Sequence, residues 1–218
     1  MTISQPEGFL ALPSSGKGPA VLVLHAWWGL NDTIKSVCTR LAEAGFVAFA
    51  ADLYHGKVAT TIPEAEALGG TVDANFEQVR AEVAEAARFL SERTGRTDLA
   101  VVAFSLGAFF ALDLSTTHPE LIRKVVVFYG THGTMPMDFG KSKATYLGHF
   151  AENDPYETPS NVDRLEQALK SAGRPAAIHR YAGTGHWFFE PDRTDAYNAE
   201  AAALAWERTT AFLQERFK

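Results

Sequence analysis

The chain is most informative at residues 101–110, which read VVAFSLGAFF. Four apolar residues typical of a buried strand end at Ser105, and helix-like sequence begins directly after it. Ala103 and Gly107, two residues to either side, complete the pattern A-x-S-x-G of a nucleophile elbow, with alanine in the place of the first glycine. Small residues are expected there because strand and helix backbones approach closely at so sharp a turn. The alternative interpretation is an ordinary strand-to-helix turn.

Strands and helices alternate on both sides of this segment. A continuous apolar run, typical of a strand buried in a parallel sheet, occupies residues 19–25, and further strands are predicted at residues 46–51, 99–104, 124–129, 144–150 and 176–181. Helical periodicity predicts helices from Asn31 to Gly45, from Val72 to Arg93, from Ser105 toward Thr117, from Thr158 to Gly173, and at the C-terminus. The alternation predicts an α/β fold, a mostly parallel sheet with helices on both faces, in a single domain spanning residues 1–218.

Composition excludes several classes of function. Net charge is −6 and no stretch is rich in Lys or Arg, which argues against a nucleic-acid or anionic-membrane partner. No apolar run approaches the roughly 20 residues needed to span a bilayer, and the N-terminus lacks the features of a signal peptide. The single cysteine, Cys38, excludes an internal disulfide, and no histidine spacing suggests a metal site. We expect a cytoplasmic protein, monomeric or a small homo-oligomer, without metal or cofactor.

A serine nucleophile needs a base and a group that orients the base, each expected after a later strand in an α/β-hydrolase. Asp154 lies in a turn after the strand that ends at Phe150, and we favour it over Glu152, the other acid in that turn. His186 lies in the glycine-rich loop after the last strand, where such a base is expected. The sequence therefore predicts a Ser105–His186–Asp154 triad, although a turn-forming aspartate and a loop histidine without a role are the alternatives.

An oxyanion hole requires two backbone donors. Leu106 would begin the helix after the elbow, where unpaired N–H groups and the helix dipole favour an anion. The second donor is expected in the loop after the first buried strand, and we choose the N–H of Trp27.

Aromatic residues in the loops at this edge suggest an apolar pocket for a small neutral substrate. We assign Trp28, Tyr54, Tyr129 and Trp187 to that pocket, though about half of such side chains are expected to be core. Residues 55–75 could form a short flap, and no segment is long enough for a large lid domain.

These segments resemble the dienelactone hydrolase family of α/β-hydrolases. The resemblance extends over nearly the whole chain, roughly residues 8–217, and its most specific parts are HAWWGLN at 25–31, ADLY at 51–54, the elbow, FYG at 128–130, GHF at 148–150 before Asp154, and AGTGH at 182–186. It implies an α/β-hydrolase fold, ester or lactone hydrolysis without a cofactor, the triad Ser105, Asp154 and His186, and oxyanion donors Trp27 and Leu106.

The chain departs from that family pattern at three positions. The founding enzymes use cysteine where Ser105 stands, and they carry a glutamate at the position of Ala26. A serine has no thiol ionisation for a carboxylate to control, so these two changes are consistent with each other. Glu190 occupies the place of an arginine that holds an anionic substrate, so we expect repulsion of an anionic lactone.

The expected function is therefore hydrolysis of a small carboxylic ester or lactone through an acyl-enzyme on Ser105. A thioesterase, acyltransferase or peptidase would use the same triad. A non-catalytic binding protein that keeps the fold but has lost turnover is the alternative outside the enzymes.

Overall fold

Seven strands form one sheet in the computed structural model, which describes residues 4–215. The spatial order is β1-β3-β2-β4-β5-β6-β7, and every neighbouring pair is parallel except β1 with β3. The strands are β1 Gly8–Ala11, β2 Ala20–Leu24, β3 Val47–Ala51, β4 Leu99–Phe104, β5 Ile122–Phe128, β6 Thr145–Ala151 and β7 Ala176–Tyr181.

Helices cover both faces of this sheet. Their bounds are α1 Asp32–Glu43, α2 Ile62–Ala74, α3 Phe76–Thr94, α4 Leu106–Thr117, α5 Pro159–Ser171 and α6 Ala199–Gln214. The buried side chains of α3, α4 and α5 belong to one apolar cluster, and those of α1 and α6 belong to the other. Alternate strand residues enter opposite clusters, as Leu22 and Val23 do, because successive side chains of a strand point to opposite faces.

Two elements differ from the sequence-based expectation. Strand β1 was not predicted, because it is only four residues long and lies antiparallel at the edge of the sheet. The single helix predicted from Val72 to Arg93 is instead two helices that meet at Asn75, which ends α2 and begins α3. Most of the candidate flap at residues 55–75 is therefore helix α2.

Local sequence explains where α2 begins. The Thr61 side chain accepts the N–H of Glu64, and the Glu64 carboxylate accepts the N–H of Thr61, which is a reciprocal capping box. Proline follows at the start of the helix, where its missing N–H is not needed. These local contacts therefore determine that α2 begins at Ile62.

Strands β4, β6 and β7 are parallel, so their carboxyl ends meet at the same edge of the sheet. Each is followed within a few residues by one member of the predicted triad. Ligands of such sheets bind beyond this edge. Among residues 4–215, no helix combines the length and the apolar character that crossing a membrane would require.

Candidate active site

Ser105 lies in a strained turn between β4 and α4. Its backbone has φ 47° and ψ −112°, a conformation that non-glycine residues rarely adopt outside functional sites. The turn is held because the N–H of Ser105 donates to the Phe128 carbonyl at 2.9 Å. A Cβ on Gly107 would lie 2.7 Å from the His25 carbonyl oxygen, and one on Gly130 would lie 2.4 Å from that of Ser105. The close backbone approach inferred from the elbow motif is therefore present.

The three predicted triad residues form one hydrogen-bonded chain. The Ser105 Oγ lies 2.9 Å from His186 Nε2, and His186 Nδ1 lies 2.7 Å from Asp154 Oδ2. The side chains of Asp154 and His186 are 2% and 4% exposed, respectively. A buried carboxylate at Nδ1 favours the tautomer in which Nε2 accepts a proton from the serine hydroxyl.

The turn after β6 separates the two candidate acids. Asp154 Oδ1 accepts the N–H groups of Tyr156 and Glu157, each at 2.9 Å, which leaves Oδ2 directed at His186. Glu152 is exposed and accepts the N–H of Gly183 at 2.8 Å. Glu152 therefore braces the loop that carries the histidine, and Asp154 contacts the histidine itself.

Aromatic rings surround the imidazole of His186. The ring centroids of Tyr129 and Tyr156 lie 4.9 Å and 5.1 Å from it. Tyr129 and Trp187 have φ of 39° and 64°, so positive backbone angles cluster around the triad as they do at Ser105.

Glu190 lies behind Tyr129 and is fully buried. The Tyr129 hydroxyl donates to its Oε1 at 2.6 Å, and burial raises the pKa of Glu190 to about 8. The expectation that this residue repels an anionic substrate is therefore corrected, because its carboxyl is fully buried and hydrogen-bonded to the Tyr129 hydroxyl. The position of Glu190, four residues after His186, could not show that its carboxyl is buried beneath Tyr129.

A cavity of about 570 Å³ opens beside Ser105 and His186. Its walls are largely apolar, and they include Trp27, Val72, Phe76, Phe109, Phe110 and Trp187. Sequence reasoning assigned no pocket role to Val72, Phe76, Phe109 or Phe110. Phe109 and Phe110 carried a signal, since they follow Leu106 by three and four residues and so share its side of α4.

A second cavity, of about 360 Å³, meets the first at the nucleophile. Ser105, Tyr156 and His186 line both cavities, and the second adds polar side chains from Thr131, His132, Glu157 and Asn161. Ser105 therefore lies between an apolar lobe, the 570 Å³ cavity, and a polar lobe, the 360 Å³ cavity.

The four predicted pocket residues divide into two pairs. Trp187 lines the apolar lobe and Tyr129 lines the polar lobe. Trp28 and Tyr54 are 3% exposed and line neither lobe, which corrects their assignment. Trp28 packs on Trp187 at 5.1 Å, and Tyr54 packs on His25 at 4.8 Å. Aromatic type and position in a loop could not distinguish a wall of the pocket from the layer beneath it.

Trp27 and Leu106, the predicted oxyanion donors, both line the apolar lobe. Within residues 4–215, neither backbone N–H donates to a protein acceptor. The N–H of Leu106 is at the first residue of α4, where a helix leaves its donors unpaired. Both groups are therefore available to a ligand. Over the same residues, no group of three or more His, Cys, Asp or Glu side chains is arranged to hold a metal ion.

Comparison with known proteins assigns the family. Residues 7–217 match the model of the dienelactone hydrolase family. The chain belongs to the dienelactone hydrolase family. This confirms the resemblance seen in the sequence and makes the protein a member of a family of hydrolases.

Individual relatives agree with that assignment. The chain is 32% identical over 215 residues to Protein usf of Aquifex pyrophilus, covering 96% of this chain and 93% of that protein. It is 29% identical over 221 residues to a putative carboxymethylenebutenolidase of Aquifex aeolicus, with 97% and 94% covered. A putative dienelactone hydrolase from Klebsiella pneumoniae has a similar solved structure, with TM-score 0.81, 23% identity, and 96% and 92% covered. This similarity, together with the strand order in the sheet of this protein, confirms the predicted α/β-hydrolase fold.

Proposed function

We propose that this member of the dienelactone hydrolase family is a serine hydrolase that cleaves a small carboxylic ester or lactone. The observation that carries the proposal is the continuous hydrogen-bonded chain from Ser105 through His186 to Asp154 at the wall of an open cavity. Family membership supplies ester or lactone hydrolysis as the reaction class.

The first half of the reaction forms an acyl-enzyme. His186 Nε2 takes the proton of Ser105 Oγ as that oxygen attacks the substrate carbonyl, and a tetrahedral intermediate forms. Asp154 holds the imidazole in orientation and stabilises its charged form without taking the proton. His186 then protonates the leaving alkoxide, and the C–O bond to the alcohol breaks.

The second half releases the acid. A water molecule gives a proton to His186 as its oxygen attacks the acyl carbonyl, and a second tetrahedral intermediate forms. The bond between the acyl carbon and Ser105 Oγ then breaks, and His186 returns the proton to Oγ. In both halves the negative oxygen is stabilised by the N–H groups of Trp27 and Leu106. Losing one such donor typically slows acyl transfer about 10²- to 10³-fold.

A thioesterase or acyltransferase would use the same first half and differ in the leaving group or in the acceptor of the acyl group. The open polar lobe beside Ser105 gives water a route to the acyl carbon, which supports hydrolysis over transfer. A binding protein without turnover is opposed by the strained elbow and by the short contacts of all three triad members.

The test is the Ser105→Ala variant, with Ser160→Ala, an exposed serine on α5, as the matched control. We expect Ser105→Ala to reduce kcat for p-nitrophenyl butyrate by about 10⁴-fold or more, and Ser160→Ala to keep the wild-type rate. A fluorophosphonate probe should label the wild type and the control at one site, found by intact mass and peptide mapping at Ser105. Unchanged turnover in Ser105→Ala, or labelling elsewhere, would overturn the proposal.

A further inference from the structure

The apolar lobe contains one carboxylate that the proposed chemistry does not use. Asp73 lies near the end of α2 and lines this lobe together with Val72 and Phe76. It is exposed to solvent, and no side-chain hydrogen bond or ion pair joins it to another residue within 4–215. Besides Asp73 and His186, no residue that lines this lobe carries a carboxyl, imidazole, amino or guanidinium group.

The polar lobe also contains a carboxyl group, that of Glu157, whose pKa is raised by burial. Glu157 Oε2 accepts the N–H of Thr131 at 2.7 Å, and its Oε1 is buried without a hydrogen-bond partner in the described structure. Burial lowers the pKa of His132, which disfavours the charged form of this imidazole. A ligand that occupies both lobes therefore meets acidic groups at each end.

None of the nearby arginines lines either lobe, although Arg164 contacts two residues of the polar lobe's wall, Gly133 and Asn161. Arg80, one turn after Phe76, pairs with Asp113 at 2.9 Å and with Glu77 at 3.0 Å. Arg164 donates to the Gly133 carbonyl at 2.9 Å, and neither arginine lines a lobe. Arg193, three residues after Glu190, packs over the Trp28 ring at 4.0 Å and is likewise absent from both walls. No cation among the described residues of either wall would bind a carboxylate-bearing substrate.

On the basis of the proposed function, we propose that Asp73 determines which substrate charge the enzyme prefers. The preferred substrates are then neutral or cationic esters with an apolar acyl or alcohol group. The apolar walls bind that group. A charge at the end of the group remote from the ester would lie near the Asp73 carboxylate and interact with it. The apolar wall lowers the dielectric on one side of the Asp73 carboxylate, which strengthens this interaction, and solvent on the exposed side screens part of it. Anionic esters and lactones are then poor substrates because the negative charge of Asp73 repels them.

The experiment uses three p-nitrophenyl esters with six-carbon acyl chains. One is the neutral hexanoate, one is the monoester of adipic acid with a terminal carboxylate, and one carries a terminal trimethylammonium group. Desolvation lowers kcat/KM for both charged esters, so the informative quantity is the ratio of cationic to anionic kcat/KM. The ratio is measured within one enzyme preparation and is independent of how much of that preparation is folded.

We expect a ratio above one in the wild type. Asp73→Asn should lower it by about fivefold or more, because a unit charge about 8 Å away in a water-like dielectric changes each kcat/KM about twofold, in opposite directions for the two charged esters. Asp73→Lys should lower it further and favour the anionic ester. Glu66→Gln removes an exposed carboxylate from the same helix outside both lobes, so its ratio should match the wild type. High salt should weaken the Asp73 effect.

A ratio within twofold of wild type in both Asp73 variants would overturn the inference, as would a wild type that prefers the anionic ester. Failure of the proposed function looks different. In that case none of the three esters is hydrolysed above the uncatalysed rate, and the fluorophosphonate probe does not label Ser105.

Discussion

Asp154 and Glu152 are two carboxylates in one turn, and their backbone environments give them different tasks. Two N–H groups hold Asp154 in place while its other oxygen reaches His186, whereas Glu152 reaches the N–H of Gly183. We expect Asp154→Asn to lower kcat about 10³- to 10⁴-fold, because an amide at this position favours the wrong imidazole tautomer. The measurement is kcat for p-nitrophenyl butyrate between pH 6 and 9.

The matched control is Glu152→Gln, which keeps an oxygen to accept the same N–H and should retain kcat within about threefold. Equal losses in the two variants would show that the turn as a whole, and not the Asp154–His186 contact, supports activity.

At the residue scale, the sequence was informative where chemistry and position coincide. Ser105, Asp154 and His186 each follow a strand, and parallel strands bring their carboxyl ends to one edge of the sheet, so the three could be predicted together. Asp73 could not be predicted, because nothing in a helical pattern reveals which turn of the helix borders a cavity. Glu190 was expected to face an anionic substrate but is fully buried, for the related reason that residue spacing does not reveal depth.

At the scale of elements, helix α2 shapes the site through one contact with the loop after β2. A Cβ on Gly69 would lie 2.2 Å from the indole nitrogen of Trp27, whereas one on Gly70 would have no neighbour within 4 Å. We expect Gly69→Ala to displace the Trp27 indole and to lower kcat/KM by about tenfold or more, because this indole lines the apolar lobe and belongs to the residue whose backbone N–H is the proposed oxyanion donor. The measurement is kcat/KM for p-nitrophenyl butyrate.

Gly70→Ala is the control on the next residue of the same helix. It should keep kcat/KM and stabilise the protein by about 0.5–1 kcal/mol, since alanine is the better helix former and meets open space. Thermal unfolding of both variants separates the two effects. A Gly69→Ala enzyme with wild-type kcat/KM would show that the position of Trp27 does not matter for turnover.

Six of the seven strands were predicted. Strands β2 to β6 are largely buried and rich in apolar residues, as strands covered on both faces are. Strand β7 is a mostly exposed edge strand that was predicted where the alternation of strands and helices continues. Strand β1 lacked that signal, since its residues are only partly buried and pair on one side with β3. The boundary at Asn75 was also missed, because helical periodicity continues across it and α2 was taken for a loop. That error concealed Asp73 and Gly69, the two residues of α2 on which the charge and oxyanion predictions depend.

At the scale of the whole molecule, the free energy of unfolding should carry the signature of Glu190. Burial raises the pKa of this carboxyl to about 8 in the folded protein, against 4.5 for an ordinary glutamate. Between these two values the folded state retains a proton that the unfolded state has released, so stability falls as pH rises through this window. The free energy of unfolding falls by about 1.4 kcal/mol for each pH unit in this window. The stability that the protonated carboxyl allows is complete only below pH 4.5.

The Glu190→Gln variant keeps the acceptor for the Tyr129 hydroxyl and has no proton to lose. Its unfolding free energy, measured by urea denaturation at pH 5, 6 and 7, should therefore rise relative to wild type by about 1.4 kcal/mol for each pH unit. Glu66→Gln, an exposed carboxylate on α2, should show no such trend. A wild-type minus Glu190→Gln difference that is constant across this range would mean that Glu190 is ionised in the folded protein. The cavity wall at Tyr129 would then rest on a buried negative charge close to the triad, and the acidic character assigned to Asp73 and Glu157 would extend to it.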